Sequence, residues 1–416
     1  MPFDLAAEPW YCVGLAALAV PVLLFVGGRR DMLAYLAAYF FLFGFGPVVS
    51  YLLGGTIYFG TNTALIGRAA LGLLLAFAGV LAAGVLVRRR RDIADPMAAP
   101  SGRRLPLVPA VLAVLALYGL AVLAWGGPAF LSGTKLDRIA VAGPGHYDYL
   151  LLQMCACALY FLAYETSTGR FAYRLNLGVY IAYCLATGER DFVFVLFALV
   201  LHREYVLSER GRGRRKIPRT VLWGAGLLVG ATLLFSLRGS GDAAGGSNAS
   251  QILNQGSVLF IDTWVMGHVP SVEPYQHGAT YLRALINLIP GHPQPALSQW
   301  LVDRYAPGSA SGYGFSLTGE AYLNFGLAGI PLLFALLTGA HRWVTNRIDR
   351  APVYAYGSIL FTIAWMYGFR GESESLVKTC VYGALFYGVI RMVSVRSTDT
   401  DTAETDAEEV AACASS

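Results

Sequence analysis

Charge is scarce in this chain. Only 14% of its 416 residues are Asp, Glu, Lys or Arg, against about 25% in a typical soluble domain. That scarcity excludes an ordinary water-soluble globule. Metal-ligand spacing is missing too. None of the six cysteines forms a CxxC pair, so neither a zinc site nor a disulfide framework is indicated. Cys12, Cys155, Cys157, Cys184 and Cys380 lie in apolar runs and Cys413 lies near the end. No Gly-x-x-x-x-Gly-Lys-Ser/Thr and no HExxH pair occurs, and the one Asp-x-Asp, Asp399-Thr400-Asp401, lies in the polar C-terminal tail, which argues against ATP-driven work and a dedicated metal site. No cofactor is expected. The opening residues Met-Pro-Phe-Asp-Leu-Ala-Ala-Glu lack the basic start of a cleavable leader, so the first apolar run is expected to be retained.

Apolar runs are what the chain has in quantity, with 56% of residues hydrophobic. Runs at residues 10–28, 32–53, 64–87, 107–125, 147–165, 175–187, 192–207, 220–237, 320–341, 352–369 and 376–391 predict an all-α polytopic membrane protein of about eleven helices. The net charge of +5 is no nucleic-acid signature, because the basic residues sit in short blocks between runs. With the N-terminus outside, most of the 31 Lys and Arg fall in cytoplasmic loops, Arg342 and Arg347 among them. The exceptions are Arg68, Lys135, Arg138, Arg190, Arg238, Arg283, Arg304, Arg370 and Lys378. That bias predicts an extracytoplasmic N-terminus, a cytoplasmic C-terminus and a plasma-membrane location. Residues 1–395 read as one transmembrane domain, and 396–416 as an acidic, disordered cytoplasmic tail.

Residues 239–316 form one long extracytoplasmic loop on this reading. It opens flexibly at Gly239–Asn248 and then turns amphipathic, with helices expected at Ser250–Met266, at Thr280–Ile289 up to Pro290, and at Leu297–Tyr305. Long structured loops more often carry function than merely connect. The aromatics Trp264, Tyr275, Tyr281, Trp300, Tyr305 and Tyr313 suit either sugar rings or headgroup-level anchoring, with anchoring the commoner role.

Three arginines stand beside glycine at outer helix ends: Arg190, Arg238 and Arg370. One such residue is ordinarily a snorkelling anchor. Three on one face suit an anion, since glycine admits close backbone approach and the guanidinium fork matches phosphate oxygens. Glu320 opens a helix in Ser316-Leu-Thr-Gly-Glu-Ala-Tyr-Leu-Asn-Phe-Gly326, with Thr318 as expected cap and Asn324 one turn on. Complementing the helix dipole is the plainer role of that carboxylate. His277 and His292 lie in the loop.

In order, Gly188-Glu-Arg-Asp-Phe192, Arg238, Tyr281-Leu-Arg-Ala-Leu-Ile-Asn-Leu-Ile-Pro290, Thr318-Gly-Glu-Ala-Tyr-Leu-Asn-Phe-Gly-Leu-Ala-Gly329 and Arg370-Gly-Glu372 resemble the O-antigen polymerase (Wzy-type repeat-unit polymerase) family over residues 147–391. Where similar proteins often place a basic residue after Ile-Pro, this chain has Gly291 and His292. The resemblance implies a GT-C-like helical bundle in the inner membrane. It implies a glycosyltransferase that joins undecaprenyl-pyrophosphate-linked oligosaccharides, without metal or nucleic acid, beside a chain-length regulator and a flippase. Arg190, Arg238 and Arg370 would hold the pyrophosphate as its charge grows. Glu320, then Glu372, then His277 are the candidates for general base. A ligase-like glycan transferase shares these features. A lipid-linked glycan transporter is the other alternative, although paired halves and midplane charges are not evident.

Overall fold

The computed structural model describes the chain outside residues 1–7, 29–30, 56, 58–59, 91–106, 132–134, 165, 190, 209–257, 290–293, 306–313 and 415–416. Among the described residues every regular element is helical. In chain order they are α1 (Pro9–Gly27), α2 (Met32–Leu52), α3 (Ile66–Leu86), α4 (Leu107–Gly126), α5 (Lys135–Ala142), α6 (His146–Cys157), α7 (Tyr160–Ala163) and α8 (Ser167–Thr187). There follow α9 (Asp191–Ser208), α10 (Val258–His268), α11 (Ala279–Ile286), α12 (Leu297–Tyr305), α13 (Leu317–Thr345), α14 (Pro352–Phe369) and α15 (Ser373–Ala414). Among the described residues six segments are long and apolar enough to cross a bilayer: α1, α2, Thr63–Leu86, Leu107–Phe130, α13 and Ser373–Val393. The chain is therefore an α-helical polytopic membrane protein. The expected span at 220–237 and the loop opening at Gly239–Asn248 lie outside the described residues.

Several expected boundaries move. The run at 147–165 is divided, because α6 ends at Cys157 and α7 begins at Tyr160. The short span at 175–187 is the second half of α8, which starts at Ser167 behind an N-cap bond from Gly169 N–H to the Thr166 hydroxyl. Arg170 and Arg174, which lie between the predicted spans, are both helical. They settle against Tyr164, Arg170 on its carbonyl at 3.4 Å and Arg174 over its ring at 6.0 Å. The backbone of α15 stays helical to Ala414, through the acidic residues expected to be disordered.

The chain groups into two compact units. The first comprises Met1–Ile93, Val200–Arg347 and Phe361–Lys378. Its spine is α13 against α3, which touch so closely that a Cβ at Gly79 would stand 2.3 Å from the Pro331 carbonyl oxygen. Small residues at such crossings let membrane helices gain dispersion contact that lipid cannot match. α2 carries a π-helical turn at Phe41–Phe45. Its Phe40 packs on Trp365 and Phe369 with ring centroids 4.9 and 4.7 Å apart. Asp31 and Arg342 form a buried bidentate ion pair, with Arg342 Nη1 donating at 2.5 Å and Nη2 donating to the other oxygen. Asp31 also caps α2 by accepting from Leu33 N–H at 3.1 Å. Arg342, expected in a cytoplasmic loop, is thus an internal partner only 1% exposed.

The second unit comprises Ala94–Leu199, Ile348–Leu360 and Thr379–Ser416. In it α4 lies on α8, and Gly119 is the point of closest approach, where a Cβ would meet Val179 at 2.7 Å and the Tyr149 hydroxyl at 2.3 Å. A reciprocal amide pair, Gln153 with Asn176 at 2.9 and 3.0 Å, satisfies both buried side chains. His146 sits between the Tyr183 hydroxyl at 2.9 Å and the Glu189 carboxylate at 3.4 Å.

Candidate functional site

The start of α13 is built by a local cap. Ser316, extended at φ −144° and ψ 144°, accepts from Gly319 N–H at 2.9 Å. Thr318, the expected cap, instead donates to Asp262 of α10 at 2.8 Å, and Ser316 donates to the same carboxylate at 2.6 Å. The cap needs an extended backbone at its own position, which Ser316 has and a residue already inside the first turn has not. Burial pushes the Asp262 carboxyl up to about 6, with the Ser316 and Thr318 hydroxyls opposing.

One turn further, Glu320 lies at 1% exposure. Its Oε1 accepts from the Thr280 hydroxyl of α11 and from the Ser373 hydroxyl, both at 2.7 Å. Its Oε2 accepts from Ser373 N–H at 2.6 Å. Glu320 therefore joins α11, α13 and the first residue of α15. Asn324, on the same face as expected, donates to Thr280 Oγ1 at 2.7 Å and to the Glu320 carbonyl at 2.8 Å.

Immediately beyond, α13 breaks. Phe325 and Gly326 are non-helical, and Gly326 has φ 64° and ψ −156°, a region open essentially to glycine. Carbonyls there would be orphaned in a span. Residues 276–278 supply donors: Gln276 N–H to the Leu323 carbonyl at 2.9 Å, His277 N–H to the Asn324 carbonyl at 3.1 Å, and Gly278 N–H to Asn324 Oδ1 at 2.8 Å. This clasp fixes His277 by its backbone, with φ 47°, and leaves its side chain exposed.

Glu372 occupies the turn between α14 and α15. Its Oε2 accepts from Leu297 N–H at 2.5 Å, so it anchors the N-terminus of α12, where four amide groups lack helical partners. Its Oε1 lies 3.4 Å from the Ser298 hydroxyl, and the Ser298 amide also bonds the carboxylate. Burial pushes the Glu372 carboxyl up to about 7. The Leu297 amide opposes this, and the Glu320 and Glu374 charges add to it. Glu374 in turn accepts from Asn287 at 2.7 Å and from Lys378 at 2.5 Å. Arg370, in the same turn as Glu372, lays its guanidinium over the Phe43 ring at 5.5 Å. Phe43 belongs to the π-helical turn of α2, and such turns recur at functional sites.

Glu320, Glu372, Arg370 and the backbone of His277 thus belong to one unit; the two carboxylates meet α11, α12 and the first residue of α15, while Arg370 in the α14–α15 turn faces Phe43 of α2. Arg190 and Arg238 lie outside the described residues. Thr280, Asn287 and Ser373 escaped sequence reading, since uncharged polar residues in short amphipathic segments give no signal apart from ordinary helix polarity. Among the described residues no group of three His, Cys, Asp or Glu is arranged to hold a metal ion.

A membrane-embedded helical protein with clustered carboxylates and an arginine at one turn is the class that these contacts define. A family model described as O-antigen polysaccharide polymerase Wzy matches residues 146–399, more than half of the chain. The protein belongs to that family, which assigns it to polysaccharide synthesis and, with its apolar helices, to the inner membrane as a multi-pass protein. No curated protein and no solved structure matches the chain.

Proposed function

We propose that this protein is a glycosyltransferase that joins oligosaccharide repeat units carried on undecaprenyl pyrophosphate, at the extracytoplasmic face and without metal. A sugar hydroxyl of one unit attacks the anomeric carbon at the pyrophosphate end of the growing chain. The C–O bond to the carrier breaks, and the bonding pair leaves with the lipid pyrophosphate. The hydroxyl proton passes to a carboxylate.

One observation carries this reading: within the family-matched segment, one turn carries a cation, Arg370, and two residues on a buried carboxylate, Glu372, whose pKa burial pushes up to about 7. The leaving pyrophosphate is already a stable anion, so it calls for a fixed cation rather than an acid. Arg370 fills that role, with Arg190 and Arg238 as its proposed partners. A base works best when its proton affinity lies near the working pH. Glu372 meets that condition and is held by amides and a hydroxyl of the α12 N-terminus, whereas both oxygens of Glu320 are held by Thr280 and Ser373. The geometry therefore favours Glu372 as base, Glu320 as the residue that positions the turn, and His277 as the exposed second candidate. A chain-length regulator and a flippase are the proposed companions.

The test is mass spectrometry of carrier-linked glycans and surface polysaccharide from cells lacking the protein, against the same cells with it restored. Single units accumulating on the carrier, with a one-unit surface product, are expected. Long chains accumulating there would mark a ligase instead, and unchanged pools would overturn the glycan reading. Displacement in one step also predicts inversion at the anomeric carbon, checked by NMR of the product linkage; a retained configuration would refute the single-step route.

A further inference from the structure

α12 links the carboxylate turn to a second cluster. Its first amide is held by Glu372, and its last residue, Tyr305, lies about 12 Å further along at 1.5 Å per residue. Around that far end sit Trp264 and His268 of α10, one turn apart on the same face, with Trp300 and Tyr305 of α12. His268 stacks on Trp264 at 4.2 Å and 16°, and its Nδ1 lies 2.8 Å from the Trp264 carbonyl oxygen. Tyr305 closes edge-on to Trp264 at 4.5 Å. Behind them Glu273, 8% exposed, accepts from the Tyr305 hydroxyl and from Arg304 Nε at 3.1 Å. Trp300 differs from the other rings. It meets Trp264 and Tyr305 only edge to face, at 83° and 78°, and it is half-buried. Among the described residues no ring stacks on a face of Trp300. Gln299, Asp303 and Arg304 beside it are exposed, with Gln299 donating to Asp303 at 2.6 Å.

We propose that Trp300, braced by Trp264, His268 and Tyr305 and flanked by Gln299, Asp303 and Arg304, is a platform for a pyranose ring of the oligosaccharide, some sugars away from the bond being made. It rests on the polymerase reading for the choice of ligand. A sugar offers an apolar C–H face that suits an aromatic face, with hydroxyls around its edge that suit a carboxylate, an amide and a guanidinium. The cross-linked backing fixes the platform before the ligand arrives, which lowers the ordering cost of binding. A headgroup anchor requires an amphipathic ring at the right depth and no such carboxylate–tyrosine–arginine clasp. α12 then couples the two ends: a chain seated at Trp300 aligns with the helix whose N-terminus holds Glu372.

Calorimetric titration of the detergent-solubilised full chain tests this. The probe is the repeat-unit oligosaccharide freed by mild acid from the carrier-linked pool of the producing cells. Trp300→Ala is expected to weaken binding about tenfold, while Trp300→Phe, which keeps a ring face, stays within about threefold. In turnover assays Trp300→Ala raises KM with kcat retained, whereas Glu372→Gln lowers kcat. Wild-type affinity in Trp300→Ala, or in the greasy but non-aromatic Trp300→Leu, overturns the platform and leaves Trp300 a membrane anchor. No binding by the wild-type protein overturns it as well. Failure of the polymerase reading is seen separately, as an unchanged carrier-linked pool when the protein is removed.

Discussion

Arginine is the residue whose place in this chain is hardest to infer from charge alone. Arg342 counts as one more cytoplasmic cation in the sequence, yet it is buried against Asp31. Removing one partner of such a pair strands the other charge. Arg342→Ala is therefore expected to destabilise the protein by about 3–5 kcal/mol, seen as a lowered melting temperature in detergent. Arg370 is the contrasting case. Loss of a fixed cation at a developing charge typically costs about 10²–10³ in rate. Arg370→Ala should lower polymerisation by that order while protein level holds. Arg370→Lys should recover little, because the planar fork that grips two oxygens is gone. Full activity of the alanine variant would remove Arg370 from the site.

At the scale of elements, the break in α13 matters most. The Phe325–Gly326 backbone leaves carbonyls that residues 276–278 satisfy, so a kink and a loop stabilise one another. A Cβ at Gly326 would stand 3.2 Å from the Tyr275 hydroxyl and, more seriously, would have to hold a glycine-only conformation. Gly326→Ala should cost about 1–3 kcal/mol and raise hydrogen exchange at Gln276, His277 and Gly278 before the rest of the first unit opens. Unchanged exchange at those three amides would show that the clasp does not depend on the kink. Apolar spacing predicts helices at Ser250–Met266 and Leu297–Tyr305; α12 falls where that spacing puts it, and α10 runs over Val258–His268, residues 250–257 lying outside the described residues. The Thr280–Ile289 segment ends earlier, at Ile286, because Asn287 turns its side chain to Gln294 and Glu374. Pro290, the expected stop, lies outside the described residues.

For the molecule as a whole, the Glu372 carboxyl gives stability a pH dependence. Its proton is held up to about 7 in the folded protein, against an ordinary 4.5. The folded form thus binds more protons than the unfolded form between those values. The contribution is complete below about 4.5 and is lost as pH rises through about 7, at most about 3 kcal/mol at 1.36 kcal/mol per pH unit. Glu372→Gln should flatten that part of the melting profile between pH 5 and 8, and it should remove an activity limb that rises toward pH 7. An unchanged melting profile would mean that Glu372 does not hold its proton. The division into two units has no consistent marker in the sequence: the boundaries after Ile93 and Arg347 fall in charged stretches, whereas those after Leu199 and Leu360 fall inside apolar runs.

The sequence by itself determined the helical, membrane-spanning class and the general position of α10 to α12, and it singled out the arginines proposed for the site. Each follows from local quantities: run length against bilayer thickness, charge at run ends, and apolar spacing along a helix. Only the tertiary structure decided that Ser316 rather than Thr318 caps α13, that Glu320 is held by Thr280 and Ser373 while Glu372 is held by the start of α12, and that Arg342 is a partner rather than a loop charge. Those outcomes depend on which donors from distant segments reach a given carboxylate. Glu320 meets Thr280 and Ser373, Glu372 meets Leu297, and Asp31 meets Arg342 across 311 residues of chain. A buried charge is settled by whatever surrounds it once water is excluded, and the surroundings exist only in the folded chain.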